Sequence, residues 1–432
     1  MLWRWIFWAT IVIIAISPLI YWSTGIGQNA NELSTAITRL PDGTLISSPK
    51  AQAYHQLSLP MRLERILIYP VVLLAFYFSG MAVALRQRID MWLARRSPAL
   101  LRRLSQRLPP RLTLTDLLTI GVFVCLFNLA LFSIYLPFNF YRGFIVAHQF
   151  GLSTQTLVGW FSDWGKSVVI ELLIAVATWT TFYGLMKLLP RRWPLPVGGL
   201  MVLFLFIFAL LTPIIITPLF YEVSPLTDND LRTRILNLSQ RAGVVADEVY
   251  VIDASSKTTQ VNAYVTAFGD SQQIVLYDTL IDGYSPDEVE VVLAHELGHW
   301  YYHHIFLSLL GVGAVGWLGL FGLRWLLDRI WPWLGLRSPT DIAGLPVVLA
   351  LVFLANTFAL PIENGISRFG EHQADVFALT ISQKSDASVS LFEQLAEQNL
   401  SIIEPPAWEK FIFYTHPSVA ERIRFAETFD ND

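Results

Sequence analysis

Long apolar runs, separated by shorter polar segments, dominate the hydrophobic pattern of the chain. Seven of these runs are close to the ~20 residues that a helix needs to cross a bilayer. They cover residues 5–22, 66–85, 117–138, 168–186, 197–219, 305–323 and 345–361. The first run has no clear small-residue cleavage site, so we interpret it as a retained anchor and not as a signal peptide. The pattern predicts a mainly α-helical membrane protein with about seven transmembrane helices.

The polar segments divide the chain into four parts. Residues 1–221 hold transmembrane helices one to five with an Arg-rich loop at 86–111, 222–304 form a small extramembrane α+β domain, 305–366 hold helices six and seven, and 367–432 form a C-terminal helical segment. Because helices six and seven are antiparallel, the two polar parts that flank them lie on the same side of the membrane.

The extramembrane domain contains alternating segments typical of a small α+β unit. A helix is predicted over 227–240, with Thr227 as its N-cap and Asp230 in its first turn. Short strands are predicted at 249–252, 263–268 and 273–277. A second helix opens at Ser285, where Glu288 completes a capping box. No proline interrupts it, so we expect it to run without a break into the sixth span at Ile305.

The composition agrees with a membrane protein, because 54% of the 432 residues are hydrophobic and 15% are charged. The net charge is −4, yet the loop at 86–111 carries eight Arg and one acid, Asp90. By the positive-inside rule this loop is cytoplasmic, and the extramembrane domain then faces outward. The flanking spans account for the Arg cluster, so nucleic acid is not an expected partner. The single cysteine, Cys125, excludes an intrachain disulfide.

The strongest chemical signal is the run from His295 to His299, which reads His-Glu-Leu-Gly-His. Residues four apart share one face of a helix, so both imidazoles can bind one ion. This is the zincin arrangement, in which two neutral imidazoles hold Zn²⁺ and the intervening glutamate, here Glu296, takes a proton from the attacking water. A His-rich surface helix is the alternative, because two further histidines follow, but it gives no reason for the small residues beside the site.

A catalytic zinc site needs a third protein ligand, and a carboxylate from a separate helix commonly provides it. Glu371 follows the seventh span and returns to the side of the His295–His299 run. Asp375 lies one turn further on the same face, where it can accept the second ring N–H of a ligand histidine. His372 is the competing third ligand, but on a helix it points about 100° away from Glu371.

Further motifs carry a family resemblance that extends from the first span to about residue 425. Besides 295–300, the matching segments are 261–264, 274–280, 367–375, 416–417 and Arg422. On these residues the chain resembles the type I CAAX prenyl proteases, which are seven-span zinc endopeptidases of the membrane. The resemblance implies one Zn²⁺ per chain with Glu371 as its third ligand, and a ring of tilted helices around a water-filled chamber.

The resemblance also implies roles for residues outside the metal site. His416 is expected to support the tetrahedral intermediate, and it precedes a second capping box at Ser418, so that a helix start fixes its turn. An edge strand is expected to pair with the substrate backbone, which holds a peptide extended without demanding one sequence. The residues implied for substrate binding are Asn262, Ala263, Tyr264 and Arg422.

Two departures favour a bacterial relative in the inner membrane. The segment 146–151 lacks an acidic residue before its Phe-Gly pair, and the C-terminal residues carry no eukaryotic retrieval signal. Unfolded or membrane-associated peptides are then the expected substrates, and CAAX-type processing of lipidated peptides is the alternative. Eukaryotic members of the family place the zinc domain in the cytosol, which conflicts with the orientation predicted from the Arg-rich loop.

A seven-span transporter or a metal-binding membrane protein without protease activity is the alternative from another class. Transporters keep ionisable groups near the bilayer midplane, often in repeated halves, and no repeat is visible here. The intact Glu296 favours an enzyme over a binding protein. The sequence leaves the oligomeric state and the cleavage preference open.

Overall fold

The computed structural model describes residues 2–96, 109–244, 246–268 and 271–429, so that three of the arginines in the Arg-rich loop lie outside the described residues. Its longer helices are, in chain order, α1 (Leu2–Ser23), α2 (Pro49–Phe78), α3 (Met81–Arg96), α4 (Leu114–Phe140), α5 (Leu157–Leu188), α6 (Pro194–Leu211), α7 (Asn229–Arg241), α8 (Asp278–Gly283), α9 (Pro286–Tyr301), α10 (His304–Ile330), α11 (Leu345–Ser382), α12 (Ser385–Gln398), α13 (Ala407–Phe413) and α14 (Val419–Glu427). Helix α4 continues through a π-helical turn to Gln149, and α6 continues in the same way to Phe220.

Six helices of the described chain are long and apolar enough to span a membrane: α1, α4, α5, α6, α10 and α11. A seventh span exists if α2 and α3, which meet at an angle of 55°, are counted together. The predicted run at 66–85 covers this bend. The seven-span prediction is therefore confirmed, and the chamber implied by the family resemblance stays a prediction.

The spans differ in how much of their surface the protein covers. In the most apolar window of α6 none of the residues is buried inside the protein, and in that of α10 the share is 6%. Apolar side chains without protein neighbours need lipid, because the helix backbone already satisfies its own polar groups. These two spans pack on each other and present the rest of their surface to the bilayer.

The extramembrane domain contains a four-stranded sheet in the order β3-β4-β6-β5. After the small ribbon of β1 (Thr38–Arg39) and β2 (Leu45–Ile46), its strands are β3 (Val223–Pro225), β4 (Ala246–Ile252), β5 (Ala263–Phe268) and β6 (Ser271–Tyr277). The three predicted strands correspond to β4, β5 and β6. Strand β5 pairs with β6 on one side, and no strand in the described part of the chain pairs with its other side.

Two sequence predictions about helix ends are wrong. Helix α7 is capped by Asp228 and not by Thr227, because the Asp228 carboxylate accepts the N–H groups of Asp230 and Leu231. Helix α9 does not continue into the membrane, since it ends at Tyr301 and α10 begins only at His304. Between them His303 has φ 56°, in the left-handed region that stops an α-helix.

Candidate metal centre and active site

Helix α9 carries the His295–His299 run and begins where the sequence predicts. The Ser285 hydroxyl accepts the N–H of Glu288, and the Glu288 carboxylate accepts the N–H of Ser285, which forms a complete capping box. Glu288 is buried and also accepts hydrogen bonds from Ser390 and Gln394 of α12. The start of the helix that carries His295 and His299 is thereby fixed against the C-terminal segment.

Helix α11 crosses α9 closely enough to bring its carboxylates to the histidines. A Cβ atom on Gly298 would lie 3.1 Å from the Cα of Ala374 and 3.1 Å from the Cβ of Phe377. The absence of a side chain at Gly298 therefore sets the distance between the two helices. Residues 366 and 367, where the sequence pattern divides span seven from the C-terminal segment, lie inside this one unbroken helix.

The crossing brings three metal-ligating atoms into one triangle. The Nε2 atoms of His295 and His299 are 3.1 Å apart. Glu371 Oε2 lies 3.2 Å from His295 Nε2, and Glu371 Oε1 lies 3.5 Å from His299 Nε2. Two ligands of a tetrahedral Zn²⁺, each at ~2.0–2.1 Å from the ion, are roughly 3.3 Å apart. Glu371 Oε2 is also buried without a hydrogen-bond partner in the described chain. These residues fit a zinc ion.

Asp375 holds His295 from the side opposite the triangle. Its Oδ1 lies 2.9 Å from His295 Nδ1, so the ring is held with Nε2 towards Glu371. Burial disfavours a charged imidazole, but the neighbouring carboxylates of Asp375 and Glu371 outweigh burial and raise the pKa of His295 to about 9. The same negative charges that favour a proton at this ring favour a metal cation.

Arg422 contacts Asp375 and not a free binding surface. Its Nε donates to Asp375 Oδ2 at 2.9 Å and its Nη2 donates to Oδ1 at 2.5 Å. The guanidinium also lies over the ring of Phe392, 4.2 Å from its centroid. Two parallel hydrogen bonds of this kind fix the orientation of a carboxylate. The contacts therefore assign Arg422 a place behind Asp375, whereas the prediction that it binds substrate stays untested.

Glu296 lies beside the triangle with no hydrogen-bond partner among the described residues. Burial raises the pKa of Glu296 to about 7, although the nearby charge of His295 acts in the opposite direction. A carboxylate with a pKa near neutrality exchanges protons readily in both directions at physiological pH. This is the property required of a general base that later acts as an acid.

His299 contacts His304, one of the two histidines that follow the His295–His299 run in the sequence. The Nδ1 atoms of His299 and His304 are 2.9 Å apart, and His304 Nε2 lies 3.2 Å from Gln373 Oε1. Burial, followed by the charge of His295, lowers the pKa of His299 to about 4, so its ring is neutral. This contact depends on the helix break before α10, and no spacing in the sequence indicates that break.

His416 reaches the site from the C-terminal segment. Its Nε2 lies 3.2 Å from Glu371 Oε2, and 54% of its side chain is exposed. Arg368 on α11 holds the preceding chain by donating to the carbonyl oxygens of Lys410 and Tyr414. The predicted capping box at Ser418 is present. The Thr415 hydroxyl lies 2.8 Å from His416 Nδ1, and if it donates there, the N–H is left at Nε2, towards the site.

Apart from Arg422, the residues predicted to bind substrate lie on or next to β5. Ala263 is buried among the side chains that pack between the sheet and α9. Tyr264 points to the other face, into a cluster with Tyr221, Tyr250 and Tyr277. The Asn262 carbonyl accepts the N–H of Tyr277, which extends the pairing with β6 beyond the strand itself.

The structure thus brings together His295, Glu296, His299, Glu371, Asp375, His416 and Arg422. His372, the competing third ligand, is exposed and its ring contacts Phe425 at 4.8 Å. It does not belong to the triangle. His304 and Gln373 are the additions that the structure makes.

Comparisons with known proteins agree with this geometry. Residues 225–429 match the model of peptidase family M48, and residues 48–222 match that of the CAAX prenyl protease N-terminal region with five membrane helices. An uncharacterized metalloprotease of Bacillus subtilis, YhfN, is 32% identical over 317 residues, which are 72% of this chain and 74% of that protein. The CAAX prenyl protease 1 homolog of Oryza sativa is 28% identical over 304 residues, 68% of this chain and 70% of that one.

The fold also has a solved counterpart. The crystal structure of S. mikatae Ste24p superposes with a TM-score of 0.70 and covers 99% of each chain, at 21% sequence identity. That likeness supports the helical membrane architecture and the small sheet. The family matches exclude the transporter alternative. The chain therefore belongs to the CAAX prenyl protease family of M48 peptidases, and it is an integral-membrane metallopeptidase of the multi-pass type.

Proposed function

We propose that the protein cleaves peptide bonds of membrane-associated or unfolded substrates with one Zn²⁺ per chain, held by His295, His299 and Glu371. The observation that carries this proposal is the triangle of ligand atoms with edges of 3.1, 3.2 and 3.5 Å. Among the residues described, these three form the one group of His, Cys and acidic side chains that fits an ion in this way.

Residues of the chain itself carry out the proton transfer and stabilise the charge that develops during cleavage. Zinc, when bound, supplies a Lewis acid that polarises the scissile carbonyl and makes water a stronger nucleophile. Glu296 accepts a proton from the attacking water at its carboxylate and then passes it to the leaving amine. No other described residue forms a hydrogen bond with its carboxylate, so both oxygens are free for this transfer. His416 donates from Nε2 to the oxygen that becomes negative as the carbonyl is attacked.

Asp375 and Arg422 act behind the reacting atoms. Asp375 accepts the Nδ1–H of His295 and so keeps Nε2 available for the ion. Arg422 fixes both oxygens of Asp375. We place these two as positioning residues, which act through His295 and not on the substrate.

The free edge of β5 is proposed to bind the substrate backbone. This strand packs on α9, so a peptide added to its edge would run past the metal site. Asn262, Ala263 and Tyr264 provide main-chain groups there, which recognise an extended peptide without reading its side chains. Most backbone groups of a folded protein are already paired within it, and this favours unfolded or membrane-bound segments.

A second substrate class is suggested by the names of the relatives. The Oryza sativa relative is called a CAAX prenyl protease 1 homolog. Lipidated CAAX peptides are therefore the alternative substrates for this chain. Cleavage of one peptide with and without a prenyl group, measured side by side, distinguishes the two classes by their kcat/KM.

We further propose that the enzyme resides in a bacterial inner membrane with its zinc domain on the outer side. The two ends of α4 support an opposite placement of the Arg-rich segment and the zinc domain. Near its start, Thr119 donates to Asp90 of α3. Beyond its far end, the carbonyl of Leu152 accepts hydrogen bonds from Thr258 and Thr259 of the extramembrane domain.

The catalytic proposal is tested by Glu296→Gln. This change removes the base but keeps the size of the side chain, so cleavage of an unstructured peptide should disappear while zinc content stays near one per chain. Glu404→Gln is the matched control, because Glu404 is exposed and paired with Arg424. Activity that survives Glu296→Gln, or purified parent protein without zinc, would show the proposal to be wrong.

The orientation is tested by cysteine labelling in a Cys125→Ser background. Gln240→Cys places a thiol on the exposed face of α7 in the zinc domain, and Arg192→Cys places one in the loop between α5 and α6. An impermeant maleimide added to spheroplasts should label the first position and reach the second only after permeabilisation. The reverse pattern would place the zinc domain in the cytoplasm.

A further inference from the structure

The imidazole of His304 occupies the position behind His299 that Asp375 occupies behind His295. Its Nδ1 lies 2.9 Å from His299 Nδ1, and its Nε2 lies 3.2 Å from Gln373 Oε1. Gln373 belongs to α11, two residues after Glu371. His304 therefore connects the helix that carries the histidines to the helix that carries the carboxylate.

The helix break before α10 is what makes this contact. Five residues along an uninterrupted α-helix correspond to a rotation of about 140° around the axis, so His304 would then point away from His299. The left-handed backbone of His303, with φ 56°, turns the chain instead. The ring of His304 thereby lies next to the ring of His299, with 5.1 Å between the two ring centroids.

The direction of the hydrogen bonds in the series His299, His304 and Gln373 follows from the groups at its two ends, which are the metal site and the Gln373 side-chain oxygen. A metal in the triangle takes the lone pair of His299 Nε2, so His299 must carry its hydrogen on Nδ1 and donate it. His304 Nδ1 is then the acceptor, and His304 Nε2–H donates to Gln373 Oε1, which can only accept. The opposite direction would put a hydrogen on His299 Nε2, where it would exclude the ion.

We propose that His304, fixed by Gln373, is the positioning residue of the zinc ligand His299, because it selects the tautomer that exposes the Nε2 lone pair. This inference rests on the proposed zinc site. The two histidine ligands then have different partners. Asp375, held by Arg422, supports His295, and His304, held by Gln373, supports His299. Gln373→Leu should also weaken zinc binding, but less than the loss of His304 does.

Zinc affinity of the full-length protein in detergent, measured by competition with a chromophoric chelator, tests the proposal without using activity. His304→Leu should lower the affinity roughly 10- to 100-fold, as loss of such an outer partner typically does. His304→Asn should retain most of it, because an amide oxygen can accept in place of Nδ1. His372→Leu is the matched control on the exposed side of α11 and should leave the affinity unchanged.

Two further measurements keep the outcome unambiguous. Circular dichroism and thermal unfolding of the zinc-free proteins establish that the variants are folded, and Co²⁺ spectra should shift in His304→Leu but not in His304→Asn. A folded His304→Leu variant with an affinity within twofold of the parent overturns the role of His304. Parent protein that binds no zinc at all overturns the proposed function itself, which separates the two failures.

Discussion

Two helix crossings in this protein are each built around a glycine, but the atoms that face the glycines differ. At the site, α9 and α11 meet at Gly298, where an added Cβ would press on the Cα and carbonyl oxygen of Ala374. In the membrane, α6 and α10 meet at Gly198, where an added Cβ would lie inside the indole of Trp317. A backbone cannot yield without moving its helix, whereas an indole that is 36% exposed can rotate towards lipid.

The two crossings also differ in the polarity of the side chains around them. Above Gly298, the Asp375 and Arg422 side chains and three histidines are joined by hydrogen bonds across the helices. Beside Gly198, the neighbouring contacts are apolar: Val202 lies against Gly313 and Met201 against Gly316. The first crossing sets the positions of the metal ligands, whereas the second only has to keep its two helices packed together. We therefore expect changes at the first to affect chemistry and changes at the second to affect stability.

The largest effect is expected from Gly298→Val. Its branched side chain must push α11 away from α9, which moves Glu371 away from both histidines. A displacement of ~1 Å at a reacting centre can cost roughly 100-fold in rate, so kcat/KM should fall by about that factor, together with zinc content after dialysis. Gly298→Ala should lose less, because one Cβ demands a smaller shift. Full zinc and unchanged kcat/KM in Gly298→Val would refute the rigid crossing.

Asp375→Leu is expected to have the next largest effect. His295 loses the acceptor that fixes its tautomer, and Arg422 is left without its carboxylate. Zinc affinity, followed by chelator competition, should fall roughly 10- to 100-fold. Asp386→Leu, at an exposed position at the start of α12, is the control and should bind zinc normally. Equal affinities for the two variants would mean that the polar contacts above Gly298 do not support the metal.

The pH profile sharpens the comparison further, because the crossing creates the burial around Glu296. That burial raises the pKa of Glu296 from 4.5 to about 7. A general base acts when ionised, so kcat/KM should decline as the pH falls through a midpoint above 4.5. Gly298→Ala, which admits water, should move that midpoint to lower pH. A midpoint at 4.5 in the parent protein would contradict the expected burial.

Gly198→Ala should have the smallest effect on chemistry. The added Cβ forces the indole of Trp317 to move, which we expect to cost about 1–3 kcal/mol of stability. The thermal unfolding midpoint should fall while kcat/KM of the folded enzyme stays within a factor of two. The double variant Gly198→Ala with Trp317→Leu should recover the midpoint. A large loss of activity in folded protein would show that the membrane crossing also controls the site.

Much of this architecture could be predicted from the sequence because the signals are local. Apolar runs of sufficient length predict the spans, and the capping box at Ser285 predicts the start of α9. The spacing of His295 and His299 needs only helical geometry. Glu371 could be assigned because the two last spans return the chain to the same side.

Other features depend on contacts that no local pattern records. The left-handed backbone at His303 lies where α9, α10 and α11 contact one another, and with no local signal for it the sequence predicted a continuous helix. The pairing of Arg422 with Asp375 joins residues 47 positions apart, and a matching motif alone suggested substrate binding for Arg422. The Thr227 prediction failed by one residue, since two adjacent side chains could both act as caps.

Helix α11 is at once a membrane span and the carrier of a metal ligand. It has 38 residues without a break, about 57 Å of rod, while the hydrocarbon layer is ~30 Å thick. Lipids of unmatched thickness change the tilt of a span, and because the helix continues past Pro361 without a break, part of that tilt reaches its far end. Glu371 should then move relative to α9, so the thickness of the lipid bilayer would affect the distances between the metal ligands. Peptide cleavage in nanodiscs of short and long acyl chains should reveal an optimum thickness.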